Sequence, residues 1–199
     1  MKRRSFIKGV SNSALGAAAG MVSAPWVARK ASAGSHSRKI KIGCLFSSSG
    51  TMANLEGRLN FVAQMAADEI NASGGVLGKD VEVVETEPSS DWPMYAQLGR
   101  QLIQQEQVAA TFGCWTSVSR KSVLPVVEQN DALLYYPLHF EGEENSKNVV
   151  YLNSPPSSSV LPAVEYLMSE EGGSAKRFFM LGSDYVWPRT INQLSLIHI

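Results

Sequence analysis

Val108-Ala109-Ala110-Thr111-Phe112 runs into Gly113-Cys114-Trp115-Thr116-Ser117, and residues 118–130 then read as a helix despite Pro125. The first five residues form a short, mostly apolar run, as expected of a strand covered on both faces in a parallel sheet. Gly113 breaks the run, and Thr116 and Ser117 offer the hydroxyl side chains that cap free N–H groups at a helix start. Strand, loop and helix in that order is the repeating unit of an α/β fold.

The unit recurs in both directions. Upstream, residues 40–46 read as a strand that enters Ser47-Ser48-Ser49-Gly50-Thr51. A helix is predicted over 52–72, with Leu55, Leu59, Val62, Met65, Ala66 and Ile70 as its apolar stripe. Gly74-Gly75 ends that helix, residues 81–84 read as a second strand, and Asp91-Trp92-Pro93 opens a helix running to about Glu106. Downstream, residues 133–136 read as a fourth strand, 138–148 as an acidic loop, 149–152 as a short strand, 160–170 as a helix and 177–181 as a further strand. The pattern predicts a parallel sheet flanked by helices, joined by right-handed crossovers.

Ligands of such sheets bind outside the carboxyl ends of the strands. That rule gathers residues 47–51, 115–117, 136–139 and 184–187 onto one edge. At a helix start, Thr116 and Ser117 suit either N-capping or contact with a ligand oxygen, and Trp115 suits either the core or a pocket wall. Asp184 is an acceptor for ligand N–H groups or a cap for the next segment, with Tyr185 and Trp187 as aromatic surface beside it. No Gly-x-Ser-x-Gly or Gly-x-Gly-x-x-Gly spacing occurs, Ser117 has no evident His partner, and His36 and His139 are isolated, so neither a catalytic set nor a metal or cofactor site is expected. Cys44 and Cys114, without Cys-x-x-Cys spacing, read as buried small hydrophobes, with a disulfide open in an oxidising compartment.

The two ends read differently from the middle. Residues 1–33 contain Arg3-Arg4-Ser5-Phe6-Ile7-Lys8, a weakly apolar run and Ala31-Ser32-Ala33, the plan of a twin-arginine export signal with cleavage expected after Ala33, Ala24 and Ala28 offering further small-residue sites, and a linker over 34–39. Leu194-Ser195-Leu196-Ile197-His198-Ile199 matches the translated mosaic end of a sequencing transposon, so authentic sequence is expected to stop at Gln193. All 18 acidic residues but only 12 of the 18 Lys and Arg lie in 34–193, which gives that region a formal charge of −6. An acidic region without a basic stripe argues against nucleic acid as a partner.

From Lys41 onward the sequence resembles type I periplasmic solute-binding proteins, and within them the urea and short-chain amide branch of ABC transporter substrate-binding proteins. The resemblance is carried by Ser49-Gly50-Thr51-Met52-Ala53, Glu69-Ile70-Asn71-Ala72-Ser73-Gly74-Gly75-Val76-Leu77-Gly78, Ser90-Asp91-Trp92-Pro93, Phe112-Gly113-Cys114-Trp115-Thr116-Ser117, Leu134-Tyr135-Tyr136-Pro137, Phe140-Glu141-Gly142 and Gly182-Ser183-Asp184-Tyr185-Val186-Trp187-Pro188-Arg189. It implies a fold of two α/β lobes when complete, with residues 40–152 as the first lobe and 153–193 as its remainder and the truncated start of the second. It implies a small neutral amide as ligand, a membrane permease as partner, and a periplasmic location. It also implies that Trp115, Thr116, Ser117, Tyr136, Pro137 and Leu138 line the first-lobe side, with Trp187 stacking from the second lobe beside Asp184 and Tyr185. A branched-chain amino acid receptor and an amide-sensing regulator share the fold and remain as alternatives. Trp187 stands where many relatives have Tyr, and Leu138-His139-Phe140 replaces the usual Val-Gln-Tyr.

Overall fold

The computed structural model describes residues 39–199, so the expected export signal and most of the linker lie outside the described residues. Among the described residues no helix is long and apolar enough to cross a membrane. Five strands, β1 (Ile40–Leu45), β2 (Val81–Thr86), β3 (Ala110–Gly113), β4 (Leu134–Tyr136) and β5 (Val149–Tyr151), form one sheet in the order β2-β1-β3-β4-β5. Every pairing is parallel, with Ile40 opposite Val81, Ile42 opposite Ala110, Thr111 opposite Leu134 and Leu134 opposite Val149.

The helices are α1 (Ala53–Glu56), α2 (Leu59–Ala72), α3 (Trp92–Gln104), α4 (Ser117–Gln129), α5 (Val160–Met168) and α6 (Val186–His198). The chain turns back between β2 and β3, and right-handed crossovers then set α2 on the face opposite α3 and α4. The packing of α3 against α4 fits that arrangement. Leu45, Leu102, Val123, Val127, Leu134 and Val149 form the core between them. Asp91 caps α3 by accepting from Met94 N, as the Asp91-Trp92-Pro93 spacing predicts.

Three expectations are corrected. The single helix over 52–72 is two, because the chain turns at Gly57 and Arg58 between α1 and α2. The predicted apolar stripe is not the packed face: Leu55, Val62, Met65 and Ile70 are 41–58% exposed, whereas Glu56, Asn60 and Ala67 are buried. The spacing of three and four fits two faces equally well, and close approach to the sheet selects the face with small and hydrogen-bonding side chains. Asn71 on that face bonds both ways with the backbone of Val81, which fixes the start of β2. Finally, residues 177–181 form no strand; Phe179 and Leu181 are 85% or more exposed, and no neighbouring strand among the described residues offers them a ladder.

Helix α6 was not legible as a helix from the sequence. It packs against α5 and α4, continues through residues 194–198, and buries Ile191 and Ser195, with Ser195 Oγ donating to Ile191 O at 2.8 Å.

Candidate ligand-binding site

The strand order β2-β1-β3 reverses direction at β1, so the crevice of the sheet opens at the carboxyl ends of β1 and β3. On the β1 side a chain of buried hydrogen bonds fixes the first turn. Ser90 N donates to Ser47 Oγ at 2.8 Å, Ser47 Oγ meets Tyr95 Oη at 2.7 Å, and Tyr95 Oη donates to Glu56 Oε2 at 2.6 Å. Glu56 Oε2 also accepts from Ser47 N at 2.7 Å, whereas Glu56 Oε1 is buried without a partner. This ties the turn to α1 and α3 and leaves Met52 and Trp92 at the crevice.

On the β3 side, Cys114 takes a left-handed backbone conformation, with φ of 66°, while its N–H still bonds to Leu45 O at 3.0 Å. That reversal turns the chain out of the sheet at Trp115 and brings Thr116 to the N-cap of α4. Thr116 Oγ1 accepts from Ser119 N at 3.1 Å and donates to Ser119 Oγ, whose own proton goes to Thr116 O. Val118 N donates to Tyr185 Oη at 3.3 Å. The helix start is therefore largely satisfied from within the protein, and the Thr116 hydroxyl acts as a cap.

A cavity of about 400 Å³ lies at this edge, lined by Met52, Trp92, Trp115, Thr116, Ser117, Tyr136, Leu138, His139, Tyr185 and Trp187. Seven of the nine residues singled out from the sequence line it together: Trp115, Thr116, Ser117, Tyr136, Leu138, Tyr185 and Trp187. Pro137 and Asp184 are not part of the lining. Asp184 is largely exposed and pairs with Arg189. Met52 and Trp92 join the lining without having been predicted, and His139, expected at this edge but not singled out as a ligand contact, joins them. His139 packs edge-on against Trp187, ring centroids 5.5 Å apart at 81°, and Trp187 Nε1 is buried without a partner.

Directly behind Ser117 lies a buried ionic network. Arg120 Nη2 donates to Glu141 Oε1 at 2.9 Å and Arg120 Nε to Glu144 Oε1 at 2.8 Å, while Lys121 Nζ donates to Glu144 Oε2 at 3.0 Å. Tyr151 Oη donates to Glu144 Oε1 at 2.6 Å, and the guanidinium carbon sits 4.7 Å from the centre of the Tyr136 ring. Arg120 and Glu141 have no exposed side-chain surface. Burial works against the Arg120 charge, but Glu144 and Glu141 more than offset it and hold its pKa above the ordinary value. Burial likewise pushes Glu144 up, yet the hydrogen bonds from Arg120 and Tyr151 leave it below the usual carboxylate range. The acidic loop 138–148 thus folds two of its carboxylates inward. The adjacent cations Arg120-Lys121, one turn into α4, were the available signal.

The Cys44 and Cys114 thiols are free and buried. Among the described residues no group of His, Cys, Asp and Glu is arranged to hold a metal.

Comparison with known proteins matches residues 40–198 to the family model described as periplasmic binding protein domain. Among solved structures, the branched-chain amino acid transporter substrate-binding protein LivJ of Streptococcus pneumoniae, in complex with isoleucine, shares 27% identity with a TM-score of 0.60, over 67% of this chain and 39% of that one. The leucine-binding protein LivK of Thermotoga maritima matches at 18% identity and a TM-score of 0.63, over 80% of this chain and 45% of that one. A periplasmic binding protein of Burkholderia mallei matches at 19% identity and a TM-score of 0.65, over 80% and 43%. The chain thus spans less than half the length of each of these proteins.

Proposed function

Because the chain belongs to the periplasmic binding protein domain family, we propose that it is the substrate-binding component of an ABC transporter, capturing urea or a short-chain amide in the periplasm and presenting it to a membrane permease. The observation that carries this reading is the cavity at the β1/β3 switch point: Trp92, Trp115 and Trp187 line it beside the hydroxyl-bearing Ser117, Tyr136 and Tyr185, and among the described residues no carboxylate or Lys or Arg side chain is in the lining. A flat, neutral ligand with one carbonyl and several N–H hydrogens suits such walls and such hydroxyls. Binding is reversible, lobe closure shields the ligand, and no covalent step is involved. The twin-arginine pattern of residues 1–33 supports export.

A branched-chain amino acid is the second reading, favoured by the likeness to LivJ at 27% identity. Leu138 at the cavity would serve an aliphatic side chain. Calorimetric titration of the full-length mature protein with urea, acetamide and leucine separates the two. Binding of urea or acetamide without leucine is expected; leucine binding with silence from both amides would overturn the amide reading.

A further inference from the structure

We propose that Glu141 sets the polarity of the ligand site by holding the Ser117 hydroxyl proton, so that Ser117 meets a ligand only as a hydrogen-bond acceptor and the site selects for N–H groups. This rests on the cavity being the ligand site. Ser117 lines the cavity, and its Oγ donates to Glu141 Oε2 at 2.8 Å. A hydroxyl has one proton and two lone pairs, and a carboxylate only accepts. With the proton given to Glu141, the lone pairs are what remains for a ligand.

The network behind Ser117 keeps that proton in place. Glu141 Oε1 is taken by Arg120 Nη2 at 2.9 Å and approached by Lys121 Nζ at 3.5 Å, which leaves Oε2 for Ser117. Glu141 has no exposed surface, so water does not compete for Oε2. Turning the Ser117 proton into the cavity would set a buried carboxylate oxygen against hydroxyl lone pairs, a loss of a charge-assisted bond that the site resists.

The other hydroxyls divide the same way. Tyr136 Oη donates to Trp115 O at 3.0 Å, and Thr116 Oγ1 donates to Ser119 Oγ. Tyr185 Oη accepts from Val118 N and so keeps its own proton free, and Trp187 Nε1 is an unpartnered donor. Acceptors at Ser117 and Tyr136 and donors at Tyr185 and Trp187 match the N–H hydrogens and the carbonyl of a primary amide. They do not match a carboxylate of the same shape, which has no hydrogen to give Ser117.

Acetamide and acetate, nearly identical in size, read this polarity directly. Full-length wild type, Ser117→Ala and Glu141→Gln are titrated with both, with the melting temperature of each variant recorded. Wild type should prefer acetamide by roughly a hundredfold or more. Ser117→Ala should weaken acetamide by about tenfold and leave acetate unchanged, because the hydroxyl never donates. In Glu141→Gln the side-chain amide can donate to Ser117, release its proton toward the ligand and narrow the acetamide preference by about tenfold. If Ser117→Ala weakens both ligands alike, the assignment is overturned even where Glu141→Gln does not fold. Wild type that binds acetamide, with the preference unchanged in both variants, overturns the assignment and leaves the amide reading standing; wild type that binds neither urea nor acetamide overturns both.

Discussion

Tyr95 donates its hydroxyl proton to Glu56 at 2.6 Å, and neither side chain has exposed surface. Burial pushes the Glu56 carboxyl above its ordinary value, and the hydrogen bonds from Tyr95 and from Ser47 N only partly oppose it. With the folded pKa raised, the native state holds a proton that the unfolded chain has released once pH exceeds about 4.5, the ordinary value. The stability contributed by Glu56 is therefore full below that pH and falls as pH rises through the folded value. Guanidinium chloride unfolding of wild type and Glu56→Gln between pH 4 and 7 should show wild type losing ground to the variant as pH increases; parallel curves would refute this.

Arg120 faces two buried carboxylates, and removing it leaves them only the partly exposed Lys121 as counter-charge. Arg120→Met should cost about 3–5 kcal/mol of unfolding free energy. Lys121, partly exposed on the same network, should cost under about 1 kcal/mol when replaced by Ala. Denaturant unfolding of the two variants checks the contrast, and equal losses would count against the network as described.

Thr116 and Ser117 are neighbours with separate roles. The Thr116 hydroxyl gives its proton and one of its two lone pairs to Ser119, so Thr116→Ala should lower stability by about 1 kcal/mol while ligand affinity changes by no more than roughly twofold, within the scatter of a surface contact. Calorimetry and thermal melts on the same samples test the split. A tenfold affinity loss would return Thr116 to the ligand.

Cys44 is raised to about 12 by burial, and burial raises Cys114 as well. The thiolate is the reactive form. Neither residue should be alkylated by iodoacetamide at pH 8 in the native protein, and both should be alkylated in denaturant, as read by mass spectrometry. Labelling of the native protein would show that the β1/β3 end of the sheet opens.

The sheet and its ligand edge were legible because short apolar runs and Gly- and hydroxyl-rich junctions are local signals. Residues 108–117 alone give a strand, a loop and a cap. The facing side of α2 was not legible, since the periodicity that marks a helix leaves its phase open and Ala67 with Asn71 carries less hydrophobic weight than Val62 with Met65. Residues 177–181 failed as a strand because pairing depends on a neighbour that local composition does not reveal. In the site, the aromatic and hydroxyl residues near strand ends were visible. Asp184 lies outside the lining and pairs with Arg189, five residues on, a partner that strand-end position alone does not reveal. Glu141 was legible only as part of a motif; its role depends on α4 bringing Arg120 and Ser117 together from another part of the chain.

The order β2-β1-β3-β4-β5 also bears on how the molecule is made. Once β1 and β2 have paired, each later strand joins an edge that already exists, and β3, β4 and β5 add to one side in the order in which a ribosome would release them. Among the described strands, none must wait for a partner synthesised after the next one, and none has to be inserted between two already joined. Pulse-labelled exchange during refolding from the full chain should then find protection at β1 and β2 no later than at β5.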